Sequence, residues 1–422
     1  MIRASLLLIG FSLLACQSKK GSPPDQSVAG ADSNGAFFCD LPGSIRFTTS
    51  GRSVAGGVSA GKLDFLRLPN GFCAHYFGNV GNPRQMRFAP GGELFVASPT
   101  KGTTGGGANG KQAVVVMPDD DRDGEADSTL VFAGGIPATQ GMMFTETHFY
   151  YQDLTKILRV PYSSGDRAPS AAPEVVAEFK GYQSDLHWQK TLDRADDGTI
   201  YVGNGSDQGE SCDPGRPFRG GILTLEGNQV SKGFRNPIAV RCQRGHNLCF
   251  AAELAMDYSG NQGGREKLVP IRQGDDWGFP CCHARNVPAP DVTPTPDCSK
   301  TTPEDVAFVI GDTPFSFDFE PGKWPDAYRE AIFVPLHGVA GTWLGAKVVA
   351  VAVDRSTGLP KKASNLDGSP MGGMSDFATG WDDGTRSHGR PAAVTFAPDG
   401  RMFVSNDTNG DIFWVAPMEL KR

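Results

Sequence analysis

The chain has little of what nucleic-acid binding, membrane spanning or haem attachment requires. Its 40 lysines and arginines are outnumbered by 47 acidic residues, giving a net charge of −7. No basic run is interleaved with aromatics, so a nucleic-acid partner is not expected. Beyond the N-terminus, no apolar stretch approaches the ~20 residues that cross a bilayer. C-x-x-C-H is absent, which excludes a recognisable c-type haem site. The Cys281-Cys282-His283 cluster lacks the four-ligand spacing of a structural zinc site. Helical periodicity is scarce throughout, which argues against bundles and helical solenoids.

Two motifs lack the context their chemistry needs. "GGGANGKQ" at Gly105 satisfies G-x-G-x-x-G, but Gln112 stands where a P-loop has its hydroxyl. The β-like run Ala113–Met117 follows it, so no helix N-terminus is available to hold phosphate. "DDDRDGEAD" places Asp119, Asp121 and Asp123 like the start of an EF-hand loop, but Leu130 occupies the position of the bidentate glutamate. Strand-like flanks exclude an EF-hand. With Asp127, these carboxylates form either a peripheral calcium site or a solvated hairpin turn.

The N-terminus reads as an export signal. A short basic start, an apolar run of about eleven residues over Ala4–Leu14, and "LLAC" ending at Cys16 suit a signal segment rather than a span. The small residue before Cys16 resembles the bacterial lipobox, which implies cleavage after residue 15 and lipidation of Cys16. Residues 16–35 are rich in Ser, Gly, Pro and Lys and read as a flexible tether. The expected location is the bacterial cell envelope, on the periplasmic or outer-membrane face, held to the membrane through the lipid alone. Eight further cysteines in an exported chain suggest disulfides, although composition cannot choose among 105 pairings. Cys242 and Cys249 flank the turn-like "QRGHNL" and form the one pair a hairpin would bring together.

Internal repetition sets the architecture. "FAPGGELFVAS" at Phe88, "RADDGTIYVGN" at Arg194 and "FAPDGRMFVSN" at Phe396 are one unit: a strand end, a tight turn, then a strand of alternating apolar residues. Weaker copies begin at Phe144, Cys242 and Asp326. Six copies at intervals of roughly 50 to 80 residues predict an all-β chain, with residues 36–422 forming a six-bladed β-propeller of four-stranded antiparallel blades. Loops from several blades would then converge at the mouth of a central channel.

Polar residues stand at the ends of these units. His187 opens "HWQKTL" ahead of one repeat, Arg235 and Asn236 lie in "GFRNPIAV", His337 ends a predicted strand in "VPLHGVAGTW", and Arg390 precedes the last repeat in "GRPAAVTFAPDG". Taken alone, His187 reads as a packed residue or as a general base. These segments, with "GDDWGFP" and in this order, resemble the soluble quinoprotein glucose and sorbosone dehydrogenases, which use pyrroloquinoline quinone (PQQ) and Ca²⁺. The resemblance runs from near Leu68 to the C-terminus.

That resemblance implies a PQQ-dependent sugar dehydrogenase, taking a sugar hydroxyl or aldehyde and delivering electrons to an external acceptor, a quinone or cytochrome. It makes His187 the base, Arg235 the cation that stabilises charge on the reduced quinone, and Asn236, Arg390 and His337 cofactor contacts. Calcium is expected near Ala255 and Met256, where the glucose enzymes have a Gly-Pro pair, with Glu253 and Asp257 as nearby oxygen donors. Two alternatives stay open. One is a non-catalytic propeller binding a glycan or protein; the other is a metal-dependent lactonase of gluconolactonase type.

Overall fold

The structure is a computed structural model that describes residues 36–57, 61–101, 109–179, 187–206, 212, 220–255, 265–289, 294–339, 344–363, 373–384 and 387–422. The signal, Cys16 and the tether lie outside these residues. Among the described residues there is no α-helix, only two short 3-10 turns, and no helix long and apolar enough to cross a membrane.

Six antiparallel sheets follow one another along the chain. Blade 1 comprises Gln85–Phe88, Leu94–Ser98, Ala113–Met117 and Leu130–Gly134; blade 2 comprises Met142–Phe144, His148–Asp153, Lys156–Pro161 and Glu174–Glu178. Blade 3 comprises Leu192–Arg194, Ile200–Asn204, Gly221–Thr224 and Gln229–Lys232; blade 4 comprises Asn236–Gln243, Leu248–Leu254, Glu266–Pro270 and Ala307–Phe308. Blade 5 comprises Asp318–Phe319, Ile332–Leu336, Lys347–Val351 and Met374–Ala378. Blade 6 takes Pro391–Phe396, Met402–Asn406 and Asp411–Pro417 from the C-terminus and its fourth strand, Phe72–Asn79, from the N-terminus. The hairpin Ile45–Thr48 and Gly51–Val54 widens that last sheet to six strands. Each of the six sequence repeats falls on the turn between a blade's first and second strands.

The sheets are buried on both faces, so their strands read as nearly continuous apolar runs. Alternation sends neighbouring residues to opposite interfaces. Met142, Phe149 and Tyr151 pack with Phe95 and Val114 of blade 1, while Met143 and Tyr150 pack with Leu192 and Val202 of blade 3. Comparable clusters join blades 3 to 4, 4 to 5, 5 to 6 and 6 to 1. The core is therefore a ring of interfaces around an axis bordered by the first strands, which leaves the axis to polar groups.

All eight described cysteines are paired, as Cys39–Cys73, Cys212–Cys281, Cys242–Cys249 and Cys282–Cys298. The expected Cys242–Cys249 bridge lies between directly opposed residues of blade 4. Cys281 and Cys282 go to different partners, which removes the thiolates a zinc ion would need.

Candidate active site at one mouth of the channel

Antiparallel pairing places the start of each first strand beside the end of the second. Gln85 faces Ala97, Asn236 faces Leu254, and Pro391 faces Asn406. These ends from successive blades gather at one mouth of the channel. Arg84, Arg235 and Arg390 occupy one equivalent position, immediately before the first strands of blades 1, 4 and 6. His337 and Asp407 share another, immediately after the second strands of blades 5 and 6. His187 lies just ahead of blade 3, and all six are buried.

His187 Nδ1 lies 2.9 Å from Ser206 O. A carbonyl oxygen can only accept, so the neutral ring carries its proton on Nδ1 and keeps Nε2 as the acceptor nitrogen. Gly205 permits the close approach, because a Cβ there would sit 2.3 Å from His187 Cβ. The same loop reaches Arg235, whose carbonyl accepts from Ser206 N at 2.7 Å.

Arg235 is held at both ends. Its N–H donates to Glu253 Oε1 at 2.8 Å, and its Nη1 donates to Ala255 O at 3.0 Å. Glu253 Oε2 accepts from Lys267 Nζ at 3.2 Å. Both oxygens of Glu253, expected as a metal donor, are thus engaged by protein groups, and Ala255 O faces a guanidinium. Met256 and Asp257 lie outside the described residues.

A second cluster spans blades 5, 6 and 1. Asp407 ion-pairs with Arg84 Nη1 and lies 3.0 Å from His337 Nε2 through either oxygen. Arg390 donates from Nε to His337 O at 2.7 Å and from Nη2 to Gly338 O at 2.9 Å. The Phe315 ring packs 4.2 Å from the Arg84 guanidinium and 4.4 Å from the His337 ring. Burial alone would raise Asp407, but His337, Arg84 and Arg390 outweigh it and hold the carboxyl well below its usual range. Burial depresses His337 to about 4, with Arg390 and Arg84 acting the same way and Asp407 opposing them.

Sequence reasoning missed Arg84, Asp407 and Lys190. The first two were legible from blade equivalence: "PRQM", "FRNP" and "GRPA" place an arginine at one structural position, and Asp407 follows the strand of its repeat as His337 does. Lys190, in "HWQKTL", is 1% exposed, has no carboxylate beside it among the described residues, and is lowered to about 8 by burial.

The mouth is accordingly cation-rich. Among the described residues, Arg84, Lys190, Arg235, Lys267 and Arg390 stand against three carboxylates, Asp407, Glu253 and Glu266. At the same end, Gln85 Nε2, Gln140 Oε1 and Nε2, Gln189 Oε1, Thr191 Oγ1 and Asn236 Oδ1 are buried without a partner among the described residues. Orphaned polar atoms beside buried positive charge are the features of a surface that a polar ligand could complete.

The aspartate loop lies elsewhere, between the third and fourth strands of blade 1. Asp119, Asp121 and Asp127 bring one oxygen each to within 4.8 Å of one another, and Asp123 is not in that group. Loop amides already bind these side chains: Asp121 Oδ1 accepts from Asp123 N at 3.1 Å, and Asp123 Oδ1 accepts from Glu125 N at 2.8 Å. The Gly105 motif leads into strand Ala113–Met117 as expected.

The fold is a six-bladed propeller whose described mouth brings buried arginines, two histidines and orphaned polar atoms together. Residues 61–231 match a domain of unknown function (DUF7133). No curated protein matches the chain. Among solved structures, the fold is similar to the calcium structure of Trichoderma reesei carbohydrate-active enzyme family AA12, at TM-score 0.67 and 16% identity, covering 83% of this chain and 97% of that one. It is also similar to the holo form of the pyranose dehydrogenase PQQ domain from Coprinopsis cinerea, at TM-score 0.66 and 16% identity over 83% and 96% of the two chains. A third is the PQQ-bound aldose sugar dehydrogenase of Streptomyces coelicolor, at TM-score 0.54 and 14% identity over 83% and 100%. At such identities the likeness establishes the propeller fold.

Proposed function

We propose that the protein is a PQQ-dependent sugar dehydrogenase that oxidises a sugar hydroxyl or aldehyde and passes the electrons to an external quinone or cytochrome. The supporting observation is the convergence at one mouth of surplus buried arginines with a histidine whose acceptor nitrogen is fixed by a backbone carbonyl. PQQ, when bound, supplies a planar, polycarboxylate two-electron oxidant. Arg84 and Arg235 suit such a ligand in charge, and the orphaned amide oxygen of Asn236 can accept from a ligand N–H or hydroxyl. Arg390, with Nε and Nη2 committed to carbonyls of blade 5, mainly fixes the rim. His187 takes the hydroxyl proton at Nε2, and Ser206 O steadies the imidazolium that results. Arg235 stabilises negative charge developing opposite it.

Calcium is part of the proposal, but the described residues do not provide its cage. Glu253 is engaged on both oxygens and Ala255 O accepts from Arg235, so we assign calcium no step. Lipidation at Cys16 would hold the enzyme at the cell envelope.

The test is to add PQQ and Ca²⁺, separately and together, to purified protein while following quinone absorbance and aldose-dependent dye reduction. Binding with turnover is expected. Binding without turnover would support a non-catalytic propeller, and hydrolysis requiring metal but no quinone would support a lactonase. The lactonase reading has less behind it: among the described residues, the only metal-capable trio of acidic or histidine side chains is Asp119, Asp121 and Asp127, away from the channel.

A further inference from the structure

The pair formed by His337 and Asp407 is not needed to remove the sugar proton, yet it has the geometry of a proton carrier. Asp407 is fully buried and accepts from His337 Nε2 at 3.0 Å. An ionised carboxylate has no proton to donate, so the ring proton sits on Nε2 and Nδ1 becomes the acceptor. No hydrogen bond to Nδ1 is found among the described residues. His187 has the opposite tautomer, with Nδ1 protonated toward Ser206 O. The two imidazoles at this mouth therefore present opposite nitrogens as acceptors when neutral.

We propose that His337 and Asp407 form a second proton-handling dyad at the channel mouth, which takes up a proton when an anionic cofactor occupies that mouth. This rests on the dehydrogenase reading. Oxidising a carbinol to a carbonyl releases two electrons and two protons. The O–H proton goes to His187. The carbon-bound hydrogen leaves as hydride, and a bound quinone would supply the two-electron acceptor for it, needing one further proton to become neutral. Protonated on binding, His337 would hold at Nδ1 the one proton that a hydride-accepting cofactor needs, with Asp407 balancing the imidazolium.

The groups facing His337 explain why a ligand is required. Arg84 and Arg390 surround Asp407, and burial adds to their repulsion, so the empty mouth keeps the ring neutral, with a value of about 4. Glu266 is one residue removed, engaged with Thr313 N, and the Asp312 carboxylate accepts from Val309 N. A bound polycarboxylate offsets both arginines and favours the protonated ring. By linkage, cofactor binding then tightens as pH falls through the interval between the two states' values.

Histidine ¹⁵N spectra of the full chain without quinone should show His337 neutral at neutral pH, protonated on Nε2; a charged ring or an Nδ1-protonated ring would overturn the dyad. Calorimetry of PQQ binding at about pH 6 in buffers of different ionisation enthalpy should show net uptake of up to about one proton per quinone. His337→Gln, its fold checked by circular dichroism, should abolish most of that uptake. Unchanged uptake in this variant would overturn the proposal while sparing the functional reading. Failure of PQQ to bind the wild-type protein at any pH would overturn the functional reading and the proton-storage role with it, while leaving the tautomer as a property of the fold.

Discussion

Two groups of buried or part-buried charge lie on and beside the first strands, and they differ in balance. At the mouth, among the described residues, five cations stand against three carboxylates. Further along, Arg87 of blade 1 donates to Met142 O at 3.0 Å and Leu192 O at 3.1 Å and pairs with Asp193 Oδ2 at 3.2 Å. Arg241 of blade 4 donates to Met86 O at 2.9 Å, and Asp193 also accepts from Cys242 N at 3.0 Å. Asp318 of blade 5 binds Thr395 Oγ1 and Phe396 N of blade 6. Here two arginines face two aspartates, and each bond crosses a blade boundary. The inner group is neutral and fastens the ring. The outer group carries excess charge, which a stable fold tolerates where a ligand completes it.

Removing one member of the inner group should have the largest effect on stability. Asp193→Ala leaves Arg87 and Arg241 without their shared carboxylate and should cost about 3–5 kcal/mol by chemical denaturation. Little change would mean that the inner group is no fastener. Lys190→Met at the mouth should act in the opposite direction. The folded value of about 8 lies below the unfolded 10.5, so the unfolded chain binds more protons between these values and wild-type stability rises as pH climbs from 8 toward 10.5. Below pH 8 the full penalty applies, and the variant should be more stable by up to about 3 kcal/mol there, with no such rise on going alkaline. Equal stability of both proteins at pH 7 and pH 10 would refute this.

The comparison is sharpened by two mouth variants, each checked for its own unfolding midpoint. His187→Ala should retain PQQ and its unfolding midpoint but turn over about 10²-fold more slowly, measured by stopped-flow reduction of the bound quinone. A wild-type rate would return His187 to a packing role. Arg84→Gln should weaken PQQ binding about tenfold, read by titration of quinone absorbance, the scale of one charge-assisted bond. Unaltered affinity would place Arg84 with the ring-fastening residues.

The blade count, the first turn of every blade and the Cys242–Cys249 bridge were legible in the sequence, because turn chemistry and two-residue alternation are local. The role of Glu253 was not. A carboxylate near Ala255 invites a metal reading, whereas its two oxygens are claimed by Arg235 N–H and by Lys267 on the next strand, pairings that only the sheet register brings together. Asp407 was hidden for another reason. In "SNDTNG" it has the composition of a solvent turn, and its burial depends on Arg84, which lies 323 residues away in sequence.

The closure of blade 6 bears on the order in which the chain can fold as it is made. Asp411–Pro417 pairs with Phe72–Asn79 across almost the whole sequence, so five blades must emerge before the ring can shut. Until then Phe72–Asn79 presents an open strand edge, braced only by the local hairpin and the Cys39–Cys73 bridge, neither of which waits for the C-terminus. Folding should therefore be slow and set by a late, long-range step. A chain cut before Asp411 would keep every mouth residue named above yet remain an unsealed, aggregation-prone arc.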